Sequence, residues 1–192
     1  MPHNKITPQQ EQAILDAHGK GLTDSAIASR LRLSARTVAN YRRAHSLPTN
    51  APNLRTALYG EHLVVEQGRQ MGLPTIHMAA QHRDHPYDVL VGGWRVEVKV
   101  VHDSRLPDVF RFSLSPTRKG KYADPRQVKD YARDCDFLVL VCKSKGGKPP
   151  QVFVMTPAEA GEYVRIDLNN LGTYSSYQNA WHRLAPPVAE AA

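Results

Sequence analysis

An aspartate nine positions ahead of a Glu-x-Lys triplet, with a glycine pair between them, makes residues 86–100, PYDVLVGGWRVEVKV, the chemically richest stretch of the chain. Alternating apolar and polar positions on both sides of Gly92-Gly93 predict a β-hairpin, because glycine supplies the positive φ angles of a two-residue turn. With those glycines as the turn, facing residues have numbers summing to 185, so Asp88 stands across from Glu97. Side chains two apart on a strand share a face, which sets Lys99 beside Glu97 and sends Val89, Val96 and Val98 to the other side. Like charges opposed at ~5 Å on a sheet repel. A divalent cation between the two carboxylates removes that repulsion, and hard oxygen ligands with open water positions suit Mg2+, with Mn2+ able to substitute. The plain alternative is an exposed hairpin face carrying a Glu–Lys pair.

Other elements must position these groups. A helix predicted over residues 53–70, ended by Gly72-Leu73-Pro74, has the apolar stripe Ala57, Leu58, Val64, Val65 and Gly68. Glu61 falls inside that stripe. A carboxylate on a buried face costs several kcal/mol unless a metal or a hydrogen-bond network compensates it. Further strands are predicted at Val109–Ser113, residues 136–142 and Gln151–Met155, with a helix over 124–134.

Glu61, then Asp88, then Glu97-Val98-Lys99, in this order of elements, resemble the PD-(D/E)xK nuclease superfamily over roughly residues 55–183. Within it the arrangement is similar to archaeal Holliday-junction resolvases and restriction-fold homing endonucleases. The resemblance implies an α/β restriction-endonuclease-like core, with a mixed central sheet flanked by helices, that hydrolyses DNA phosphodiesters with a divalent metal. Asp88, Glu97 and the Val98 carbonyl then hold the metal, and Glu61 binds a second ion or orients waters. Lys99 positions the attacking water and stabilises developing charge. Gln127, on one helical face with Tyr131, takes the place where related nucleases put an auxiliary polar residue. Two competing readings keep the same fold: a transcriptional regulator whose nuclease-like domain is catalytically silent, and a resolvase selective for DNA junctions.

The N-terminal part carries a second pattern. Thr7-Pro8-Gln9-Gln10 is a helix start, Thr23 or Asp24 caps a second helix, and Ser34 caps a third after a turn of a few residues. The run LTDSAIASRLRLSARTVANYRRAHSLP resembles the helix-turn-helix of resolvase-like and sigma-like regulators, with Ile27, Ala28, Leu31, Leu33, Val38 and Tyr41 at its apolar positions. Arg32 stands where that family often has glycine. By this resemblance Ser34, Ala35, Arg36, Asn40 and Arg43 face the major groove, where Arg36 suits guanine and Asn40 adenine. The alternative is a three-helix bundle used only for interaction. The expected organisation is therefore a DNA-binding domain at 1–47, a linker at 48–55 rich in Pro and Asn, the nuclease domain at 56–185 and a flexible tail at 186–192.

Charge agrees with a nucleic-acid partner. The net charge is +7, and up to residue 55 eight basic side chains face three acidic ones, a distribution that attracts a polyanion. Arg111 on a strand, with Arg118, Lys119, Lys121 and Tyr122 on a basic loop, is expected to track the DNA backbone; the alternative is a solvated charge run. His77, His82 and His85 invite a zinc reading, but their spacing matches no ligand motif, and they read as a solvated loop that contacts DNA or substrate. Cys135 and Cys142 suit buried small side chains better than a disulfide or a zinc knuckle. Without a run of ~18 apolar residues or an apolar leader, a cytosolic protein is expected. Cutting both strands implies a homodimer or higher oligomer.

Overall fold

The computed structural model describes residues 6–81, 85–103, 106–114, 129–144 and 146–185. The chain divides into two compact units, Met1–Thr56 and Ala57–Ala192.

The first unit consists of α1 (Pro8–Gly19), α2 (Asp24–Leu31) and α3 (Ala35–Ala44). Each begins at a hydroxyl side chain that accepts a hydrogen bond from an otherwise orphaned helical N–H: Thr7 from Gln10, Thr23 from Ala26 and Ser34 from Thr37. Ile14, Ile27, Ala28, Val38 and Tyr41 are buried together as the core of this unit. Between α2 and α3, Arg32 takes the left-handed conformation, with φ 53° and ψ 40°, at a local cost that its Cβ imposes. Arg42 Nε donates to both Asp24 oxygens at 3.0 and 3.1 Å, tying α3 to α2.

The segment 48–55, expected to be a linker, is structured instead. The Pro48 carbonyl lies 2.7 Å from His18 Nε2, and Asn50 Nδ2 donates to the carbonyls of His18 and Leu22 at 2.8 and 3.2 Å. From Pro52 the chain is helical. Pro and Asn serve here as a helix start and as a donor to helix-end carbonyls, two uses that look like loop chemistry in a bare sequence.

The long helix α4 (Pro52–Gln70) is followed by β1 (Thr75–His77), α5 (Met78–Gln81), β2 (Val89–Val91), β3 (Trp94–His102), β4 (Val109–Ser113), α6 (Tyr131–Asp134), β5 (Phe137–Lys143), β6 (Gln151–Met155), α7 (Pro157–Ala160) and β7 (Tyr163–Asp167). Two 3-10 turns, Gly172–Tyr177 and Trp181–Leu184, come after β7. Five strands form one mixed sheet in the order β1-β2-β3-β5-β6, antiparallel except where β3 runs parallel to β5. Helices flank it, so this is an α/β domain with a mixed central sheet. One face of the sheet packs Val89, Val91, Val96, Val98, Val139 and Val141 against Val64 and Val65 of α4. The other packs Leu138, Leu140, Phe153 and Met155 against Phe110, Phe112, Val164 and Ile166.

Three expectations change. Val109–Ser113 is a strand but lies outside the main sheet, paired antiparallel with β7 in a two-stranded sheet. The third strand beside the hairpin is the short β1, which periodicity over three residues does not announce. In the helix expected over 124–134, the described part is helical only at Tyr131–Asp134, because Asp130 is extended (φ −121°) and caps it. On α4, Ala57 and Leu58 are exposed; the buried row is Gly60, Glu61, Val64, Val65 and Gly68. A Cβ on Gly60 would lie 2.2 Å from Val100 Cγ2, so the helix meets β3 closely at a residue invisible to an apolar pattern. Among the described residues no helix is long and apolar enough to cross a membrane.

Candidate active site

Gly92 and Gly93 have φ of 58° and 93°, the positive pair of a tight hairpin turn. The β2–β3 register pairs Val89 with Val96, Leu90 with Arg95 and Val91 with Trp94. At Asp88 the ladder changes: its N–H donates to the Val96 carbonyl at 3.1 Å, and its Oδ2 accepts from the Val98 N–H at 2.8 Å. A side-chain carboxylate thus takes the place of a main-chain acceptor, and Asp88 brackets Glu97. Val98, read from the sequence as contributing its carbonyl, buries its side chain on the α4 side. Lys99 faces the other layer, with its Nζ 5.4 Å from the centre of the Tyr131 ring.

Glu97 is only 3% exposed, and both its oxygens are used. Oε1 accepts from Lys99 Nζ, and Oε2 accepts from Lys129 Nζ at 2.6 Å. Lys129 also donates to the Pro86 carbonyl. Glu61 is 8% exposed on the buried side of α4, and its Oε2 lies 2.6 Å from His77 Nε2 at the end of β1. The His77 ring in turn meets His62 edge-on at 5.5 Å.

The electrostatics follow from this crowding. Burial, then the Glu97 charge and more weakly that of Glu61, push the Asp88 carboxyl up to about 6, against the opposing pull of the Val98 N–H and Lys99. For Lys99, burial acts to lower the pKa, but the charges of Glu97, Tyr131 and Asp88 outweigh it and hold the ammonium above its ordinary value. Lys99 is therefore a fixed positive charge at neutral pH and not a base.

Among the described residues no three His, Cys, Asp or Glu side chains already converge as a metal cage, since Glu97 is turned to its lysines and Glu61 to His77. The donor chemistry still fits a hard divalent cation. Asp88, Glu97 and Glu61 carry the hard oxygen donors that such a cation takes, and the Asp88 carboxyl, pushed up first by burial and then by the Glu97 charge, is a group whose charged form a nearby cation would favour.

Ser34, Ala35, Arg36, Asn40 and Arg43 are all exposed on α3 and at its cap. The Ser34 hydroxyl is engaged in capping, and Arg43 donates to Asn40 Oδ1 at 2.6 Å. Arg111 is exposed and stands directly opposite Arg165 on the outer face of the β4–β7 ribbon. Lys119, Lys121 and Gln127, with Arg118, Tyr122 and His82, lie outside the described residues. His77 is part of the acidic cluster and not of a solvated loop, while His85 is half-buried, its ring edge-on to Tyr87 at 4.3 Å. Cys135 and Cys142 are free and buried; burial pushes the Cys135 thiol up to about 12, so it stays an inert thiol. Sequence reasoning missed His77 and Lys129 as members of this cluster. His77 carries a weak signal, ending a short Thr-Ile-His strand just after the Gly72-Leu73-Pro74 stop, whereas Lys129 is 32 residues from its partner and carries none.

No protein-family model and no curated protein matches the chain. A solved structure of a bacterial homing endonuclease matches it with a TM-score of 0.45 and 14% identity, over 70% of this chain and 93% of that one.

Proposed function

We propose that the chain is a divalent-metal-dependent DNA endonuclease of the PD-(D/E)xK type, brought to its target by the three-helix N-terminal unit acting as a helix-turn-helix. The observation that carries this reading is the convergence of Asp88, Glu97 and Lys99 on one hairpin, with an Asp88 carboxyl whose pKa is raised to about 6 by burial and by its acidic neighbours. Asp88 and Glu97, with the Val98 carbonyl, are the ligands in this reading, and Glu61 is a third acidic group beside them. A bound Mg2+ or Mn2+ supplies Lewis acidity to the scissile phosphate and acidifies a water.

The remaining work belongs to the protein. Lys99 keeps its proton, so it orients the attacking water and stabilises charge building on the phosphate. His77 holds Glu61 in one orientation through the 2.6 Å contact. In this reading Arg36, exposed in the first turn of α3, is a groove-reading side chain. Cleavage of both strands takes two such sites, and a homodimer or larger homo-oligomer provides them.

The test is cleavage of supercoiled, linear and four-way-junction DNA with magnesium, manganese or chelator, run beside Glu97→Ala. Metal-dependent cutting that disappears in the variant is the expected result, and the preferred substrate separates a sequence-directed endonuclease from a junction-selective one. Binding without cutting of any substrate overturns the assignment in favour of a regulator.

A further inference from the structure

Two ammonium groups serve one buried carboxylate, and they are held differently. Lys99 sits two residues from Glu97 on β3 and is fixed to it by the strand itself. Lys129 reaches Glu97 Oε2 at 2.6 Å from 32 residues away, and its Nζ has a second oxygen partner, the Pro86 carbonyl, on the segment leading into Asp88. Its ring neighbour is Tyr131, 5.4 Å from Nζ to the ring centre. One carboxylate oxygen and one main-chain carbonyl are the oxygen types that a hard cation collects. The Lys129 side chain is about one-fifth exposed (19%) while that of Glu97 is 5% exposed, so the carboxylate lies deeper than the ammonium that meets it.

We propose that Lys129 is a tethered stand-in cation: it neutralises Glu97 Oε2 in the metal-free protein and competes with a divalent ion for that oxygen. This rests on the assignment of Glu97 as a metal ligand. A carboxylate this buried is costly without a counter-charge, and Lys99 on Oε1 leaves the second oxygen for Lys129 or for a metal ion, but not for both at hydrogen-bonding distance. The ammonium therefore opposes metal binding and stabilises the protein in its absence. Lys129 is a positioning residue in this scheme, since it acts through Glu97.

The experiment is a titration of the full-length protein with Mn2+ alone, without DNA, read by the loss of the free-ion EPR signal in wild type, Lys129→Met and Lys129→Gln. Removing a charge-assisted competitor is expected to tighten Mn2+ binding on the order of tenfold. The same variants should lower the chelator-treated unfolding midpoint and regain it when Mn2+ is added. Lys143→Met is the control, because Lys143 lies over the Tyr59 ring and outside the acidic cluster; it should leave the Mn2+ affinity unchanged. Lys129→Gln keeps a donor toward Glu97 and Pro86, so it reads the charge if the methionine variant does not fold. If wild type binds Mn2+ and both Lys129 variants bind it equally or more weakly, the stand-in role is refuted while the nuclease assignment survives. If no variant binds Mn2+, both fail. Equal tightening in Lys143→Met also refutes the specific role, because general charge removal then accounts for the effect.

Discussion

Asp88→Asn should make the second unit more stable at neutral pH. Folding raises the Asp88 pKa from 3.8 to about 6, first through burial and then through Glu97. A raised folded-state pKa means that ionisation disfavours the fold. Below 3.8 the group is protonated in both states and there is no penalty; between 3.8 and 6 the penalty grows; above 6 it is complete. At 1.36 kcal/mol per pK unit this amounts to ~3 kcal/mol. Asparagine removes the charge and keeps an oxygen to accept the 2.8 Å bond from the Val98 N–H. Both tryptophans, Trp94 and Trp181, lie in the unit Ala57–Ala192, so fluorescence during urea unfolding reports that unit selectively. With m of about 1–3 kcal/mol/M, the midpoint in chelator at pH 8 should rise by about 1–3 M in the variant, and the two proteins should converge near pH 4. Adding magnesium at pH 8 should stabilise wild type more than the variant, which has lost one of the proposed ligands. A variant no more stable than wild type at pH 8, or a gain of equal size at pH 4 and pH 8, would refute the argument that charge crowding strains this hairpin.

Lys99→Ala should reduce cleavage by ~10²–10³-fold while DNA binding, measured in chelator by fluorescence anisotropy, stays within twofold on the order of experimental scatter; the fold should survive because Lys129 still neutralises Glu97. Arg36→Ala should weaken DNA binding by ~1–3 kcal/mol and leave Mn2+ affinity and the unfolding midpoint unchanged, since the side chain is exposed. Equal loss of DNA binding in these two variants would contradict the division of labour between the units. Gly60→Ala places a Cβ 2.2 Å from Val100 Cγ2; overpacking of ~1–3 kcal/mol outweighs the helix-propensity gain of ~1 kcal/mol, so a lower thermal midpoint is expected.

Local chemistry was legible in the sequence wherever local physics decides it. The caps Thr7, Thr23 and Ser34 announce their helices because a hydroxyl at that point satisfies an amide that nothing else can reach. Gly92 and Gly93 announce a turn because other residues resist positive φ, and a known turn with a period of two places Lys99 beside Glu97 and sends Val96 and Val98 to the core. Glu61 stood out because a carboxylate within an apolar stripe requires a partner.

What the sequence alone determined is therefore the hairpin, its acidic face and the three short helices, each governed by contacts a few residues apart. Tertiary structure alone decided who partners these groups. His77 meets Glu61 because β1 joins the sheet beside β2, and Lys129 meets Glu97 because the chain returns before β5 to lie beside β3. Val109–Ser113 left the main sheet for the same kind of reason: β5 took the place next to β3, and Phe110 and Phe112, paired alongside β7, found burial against a face of that sheet instead. Arg42–Asp24 and Arg95–Asp136, at 3.0 and 2.7 Å, likewise join residues with no periodic relation. Pairings across 16 to 41 residues depend on which surfaces bury together. Burial is a property of the packed whole, and no window of sequence contains it.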